Sequence, residues 1–93
     1  MARVIVAPTA VEDLSALINA NSLAATTQER IQRSLRPLAE FPLLGAELGR
    51  HWLGLRFIPG PWPWLIIVYA YDGQRDEVAI VTFQDGRSAS WGS

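Results

Sequence analysis

The cationic side chains of this 93-residue chain are eight arginines and no lysine, with a single histidine and no cysteine. Arginine's planar guanidinium suits two-pronged binding of phosphate or carboxylate. An all-arginine chain is also what a GC-rich coding genome gives. Arg87 follows Gln84-Asp85-Gly86, where a turn could aim it at a groove. It would bind phosphate or an acidic group on a partner; equally, it could pair with Asp85. Arg56 stands alone in an apolar stretch. It reads first as a structural cation paired with Glu47 or Glu12, and second as a group pointing from an open sheet face into a concave site. His51, between Arg50 and Trp52, is the only side chain whose unperturbed pKa lies near neutrality, so it is the one candidate general base. An exposed loop histidine fits the same position. One histidine without cysteine leaves no ligand set for zinc, and no cofactor is expected. Trp52, Trp62 and Trp64 cluster around one turn, where they could stack on bases or simply pack. An exposed Trp62 would meet a protein rather than RNA, because aromatics concentrate at protein interfaces and this stretch has no basic surround.

These residues need a scaffold, and the stretch Trp52 to Tyr69 supplies its centre. Two apolar arms, Trp52 to Ile58 and Trp64 to Tyr69, flank Pro59, Gly60, Pro61 and Pro63. Short apolar runs bounded by Pro and Gly read as buried strands, and prolines without backbone donors mark the loop. A β-hairpin is expected, its second strand central to a sheet.

Upstream, Arg3 to Ala7 reads as a first strand that Pro8 stops. Thr9-Ala-Val-Glu12 and Thr26-Thr-Gln-Glu29 have the capping-box form. They predict a helix over about 10–20, with Val11, Leu14, Leu17 and Ile18 on one face, and another to about Phe41, with Ile31, Leu35 and Leu38. Arg30, Arg33, Gln32 and Glu40 face water. Pro37 should kink or shorten the second helix. Downstream, Asp72 to Arg75 is a turn and Asp76 to Phe83 a last strand. The tail over about 88–93 is polar and small, expected to be flexible, and carries Trp91. The order is β-α-α-β-β-β: one α+β domain over 1–93, a small antiparallel sheet packed on a helical pair.

With 49% hydrophobic and 18% charged residues the chain should be globular. No apolar run reaches the length of a membrane span and no secretory signal is seen, so a cytoplasmic location is expected. The net charge of −1 argues against the broad basic face of a nucleic-acid binder but leaves room for a local arginine cluster.

The chain resembles the RelE/ParE toxin superfamily of bacterial type II toxin–antitoxin and plasmid-stabilisation modules. The resemblance rests on Ala10 with Asp13-Leu14, Arg30-Ile31 with Leu35 and Leu38, and Phe41-Pro42 before Gly45. It continues through Leu55-Arg56, Ile67-Val68-Tyr69 and a last strand leading to Arg87. It implies a toxin masked by a cognate antitoxin. RelE-like members cut mRNA on the ribosome; ParE-like members inhibit DNA gyrase. RelE-like nucleases supply lysines or a glutamate from the region of the first hairpin strand, an arginine inside the second, another at the end of the last strand, and a Tyr or His beyond it. Here the first-strand positions near Trp52 and Gly54 offer no lysine, and the second-strand position falls on Ile66. Arg87 remains, and the tail after it holds Ser88, Ser90, Trp91 and Ser93, with no Tyr or His. The resemblance therefore favours a ParE-like toxin acting by binding. Arg50, Arg56, Trp62, Arg87 and Trp91 are its candidate binding residues. The competing reading is an atypical nuclease with Arg56, Arg87 and His51 as catalytic candidates, supported by Arg50. A non-toxic interaction module is the third. Apolar sheet edges and exposed tryptophans are what a homodimer would use.

Overall fold

A computed structural model describes residues 1–24, 26–49, 52 and 54–87. Arg50, His51 and Trp91 lie outside the described residues, as does the 88–93 tail. The elements are β1 (Arg3–Val6), α1 (Pro8–Ala20), α2 (Thr27–Glu40), β2 (Ala46–Glu47), β3 (Arg56–Pro59), β4 (Leu65–Asp72) and β5 (Glu77–Asp85). They form one sheet in the order β1-β5-β4-β3-β2. The apolar run of the second hairpin arm is thus the central strand, as its composition requires: Leu65, Ile67, Val68 and Tyr69 are all buried.

The sheet is mixed rather than antiparallel. β3, β4 and β5 pair antiparallel as expected, but β1 pairs with β5 in parallel, Arg3 opposite Glu77 and Val6 opposite Ile80. A two-residue strand, β2, adds the far edge. Pro59 is the last residue of β3 rather than part of the loop. The N–H of Gly60 donates to the Leu65 carbonyl, so by strand alternation the Pro59 nitrogen faces the other side. There β2 pairs only with Arg56 and Phe57, and no donor is needed.

The β4–β5 register shifts between Val68 and Tyr69: Val68 faces Thr82 and Tyr69 faces Ile80, leaving Val81 as an extra residue. This bulge resets the alternation of β5. Val78, Ile80 and Phe83 all reach the core, a spacing that strict period-two alternation would forbid.

Neither capping box forms. Pro8 begins α1 at its first turn, where its missing donor costs nothing, with Ala7 as N-cap. The Thr9 hydroxyl instead reaches the Val81 carbonyl at 3.4 Å. Thr26 takes a helical backbone (φ −76°, ψ −2°) unsuited to a side-chain cap, and the Thr27 hydroxyl donates to the Ala24 carbonyl at 2.6 Å. In α1 the inward row is Ala10, Leu14 and Leu17, and Val11 is exposed. In α2, Thr27, Ile31, Leu35 and Leu38 are buried along one stripe. Pro37 lies on the exposed side, and α2 continues past it to Glu40.

Candidate functional site

The hairpin tip folds back onto the helices. Trp62 and Trp64 stack with ring centres 5.9 Å apart and planes 20° from parallel. The Arg30 guanidinium, on the first turns of α2, lies 4.7 Å from the Trp62 ring centre, and that of Arg87 lies 4.5 Å from Trp64. The result is a four-membered stack, Arg30–Trp62–Trp64–Arg87, joining α2, the hairpin tip and the end of β5. Both indoles also pack against the core. Pro61 and Pro63 restrict the backbone on either side of Trp62, which limits the entropy lost in holding the stack.

Asp85 closes one end. Its carboxylate accepts from Arg87 Nε at 3.0 Å and Nη2 at 2.8 Å, and from the Arg87 backbone N–H at 2.9 Å. These hydrogen bonds hold the Asp85 carboxyl below the usual carboxylate range and raise the guanidinium of Arg87. Arg87 Nη2 also donates to Asn21 Oδ1 at 3.1 Å, at the C-cap of α1. The backbone supports the same corner, where Gly86 N–H donates to the Trp64 carbonyl.

Arg56 belongs to a second cluster. Its Nη2 pairs with Glu47 Oε1 at 3.0 Å, and its Nη1 donates to the carbonyls of Gly45 at 2.8 Å and Leu43 at 3.4 Å. Gly45 in turn donates its N–H to the Tyr69 hydroxyl at 2.8 Å. Burial pushes the Tyr69 phenol up, against the hydrogen bond from Gly45 and the Arg56 charge. A side chain at position 45 would place its Cβ 2.5 Å from the Phe57 carbonyl and 2.8 Å from the Tyr69 ring, so only glycine fits. Glu47, Leu48, Gly54, Leu55 and Arg56 line a hollow of about 400 Å³.

The two clusters are separate. Arg56 stands opposite Tyr69, and Asp85 opposite Leu65. Those levels are four residue steps apart along β4, about 13 Å at ~3.3 Å per residue, and the strands are two spacings of ~4.8 Å apart. The structure brings Trp62 and Arg87 together with Arg30 and Trp64, and leaves Arg56 with Glu47. The sequence offers Trp64 only as one of three indoles that could stack on bases or simply pack, and it does not single out Arg30 for binding. Arg30 sits on the polar side of its helix, and only the folded-back hairpin reveals its partner. Among the described residues no group of three or more His, Cys, Asp or Glu could hold a metal ion, and no helix is long and apolar enough to cross a membrane.

A short two-helix layer on a five-stranded mixed sheet is the fold of small bacterial toxins of the RelE type. The RelBE2 toxin–antitoxin complex of Mycobacterium tuberculosis superposes with a TM-score of 0.69 at 20% identity, covering 90% of this chain and 96% of that one. An Escherichia coli RelE mutant in complex with an antitoxin RelBc peptide gives 0.67 at 15% identity, over 95% and 86%. The conserved hypothetical protein HP0892 of Helicobacter pylori gives 0.61 at 18% identity, over 91% and 94%. No curated protein matches in sequence. The family model for the ParE toxin of the type II toxin–antitoxin system, parDE, matches residues 4–89. The chain belongs to that family.

Proposed function

We propose that this toxin acts by binding a protein target, DNA gyrase, rather than by cutting mRNA, and that a cognate antitoxin neutralises it. The observation that carries this reading is the separation of Arg56 and Arg87. A ribonuclease must gather cations on one scissile phosphate, with a base and a proton donor in reach. Here the two arginines stand on opposite flanks of β4, and each is held by its own carboxylate. The indoles of Trp62 and Trp64 are engaged by each other and by guanidinium groups, so they do not offer open faces for bases. What they offer is a rigid edge with fixed charges, which suits a protein surface. The antitoxin part rests on family membership and on the solved relatives, one of them a toxin bound to an antitoxin peptide.

Purified chain titrated into a gyrase supercoiling reaction tests the proposal, beside an mRNA-programmed ribosome reaction. Inhibited supercoiling with intact mRNA is expected. Cleaved mRNA with undisturbed supercoiling would reverse the assignment.

A further inference from the structure

The described arginines fall into two sets. Arg3, Arg56, Arg75 and Arg87 each pair with a carboxylate. Arg30, Arg33 and Arg36 are exposed and form no ion pair among the described residues. All three lie on α2 at intervals of three, which sets them in a slanting row that rises about 9 Å along the axis at ~1.5 Å per residue and turns by roughly 60° at each step. Neighbouring like charges on a helix repel, and no described carboxylate pairs with the row. The Arg30 end is fixed over Trp62, so the row continues through the stack to Arg87. The Arg36 end borders a hollow of about 380 Å³ between β1 and α2, lined by Val4, Val6, Leu35 and Ala39. In a chain of net charge −1 this is a local positive ridge beside an apolar hollow.

We infer that the α2 arginine row and its hollow are the docking surface for an acidic, amphipathic segment of the antitoxin, an inference that rests on the toxin reading above. Carboxylates of the segment meet Arg30, Arg33 and Arg36 as charge-assisted hydrogen bonds, and its apolar side chains enter the hollow beside Leu35. A continuous phosphate backbone fits less well, because it brings no apolar groups for the hollow lined by Val4, Val6, Leu35 and Ala39. A second copy is disfavoured too: a two-fold contact through α2 would set arginine against arginine.

The test titrates the labelled full chain with a short glutamate peptide carrying two leucines, following the arginine Nε–H and indole N–H resonances. Parallel titrations use the glutamine version of the peptide and an oligouridylate. Saturable shifts at Arg30, Arg33 and Arg36 are expected with the glutamate peptide, weakening by about fivefold or more between about 50 and 300 mM salt. Arg33→Gln/Arg36→Gln, at two exposed positions, should abolish them while the rest of the spectrum stays native. Equal shifts with the glutamine peptide, binding indifferent to the double variant, or tighter binding of oligouridylate would each overturn the inference. In cells, Arg33→Glu/Arg36→Glu should still arrest growth but escape the co-expressed antitoxin. Full rescue, or loss of arrest with the fold intact, contradicts the assignment to the antitoxin. A wild-type chain that fails to arrest growth counts against the toxin reading alone, because the peptide titration does not depend on toxicity.

Discussion

The guanidinium of Arg87 lies 4.5 Å from the centre of the Trp64 ring, and this contact couples the end of β5 to the hairpin tip. Removing the indole takes away a partner from Arg87 and from Trp62 together. Trp64→Ala should lower stability by roughly 2–3 kcal/mol, less than the ~3–5 of a fully buried aromatic because Trp64 is only partly buried. Trp64→Phe should recover much of that loss, since a ring face remains for the cation. Urea unfolding of the two variants checks the ranking.

The Asp85–Arg87 pair predicts an acid limb to the stability curve. Hydrogen bonds from Arg87 lower the Asp85 pKa in the folded state. The contribution of the pair is therefore complete above the unfolded carboxylate value of ~3.9. It is lost as the pH falls through the lower folded value. Asp85→Asn should flatten this limb and leave the curve near neutrality parallel to wild type. Thermal melts across the acid range report it. Tyr71 carries the opposite sign. Its hydroxyl donates to Asp76 at 2.8 Å, which raises the phenol. That contribution is present below the unfolded value of ~10 and fades as the pH rises through the folded one.

The Tyr69 hydroxyl and the Gly45 N–H form a buried bond that fixes the chain ahead of β2. Tyr69→Phe leaves that N–H without its acceptor and should cost about 1–3 kcal/mol. Gly45→Ala should be worse, because the new methyl meets the Phe57 carbonyl, a backbone atom that cannot swing aside. Arg56→Ala should loosen the same loop, read as faster amide exchange from Leu43 to Glu47. It should have little effect on the distant Trp62–Trp64 stack.

What the sequence made legible was local. The Leu65–Tyr69 run announced a central strand because burial on both faces writes itself as unbroken hydrophobicity. Ile31, Leu35 and Leu38 announced the inner stripe of α2 through helical spacing. The partner of Arg56 could be narrowed to Glu47 or Glu12, because an apolar strand leaves an arginine few carboxylates to choose from, and the fold selects Glu47. The parallel pairing of Arg3 with Glu77 could not, since nothing in either segment identifies a partner 74 residues away. The capping boxes misled because Pro8 opened α1 early and Thr26 entered a helical conformation. The arginine–tryptophan stack was hidden for a related reason. The sequence placed Arg30 on a solvated face, and Trp62 arrives there only after the hairpin closes over the helices.

Induction of the chain in a bacterial host without antitoxin, scoring growth, plasmid supercoiling and transcript integrity together, tests the account at its centre. Binding to gyrase predicts growth arrest with altered supercoiling and intact transcripts. Arrest with cleaved transcripts and normal supercoiling, lost on Arg87→Ala, would contradict it and make the arginine a nuclease residue.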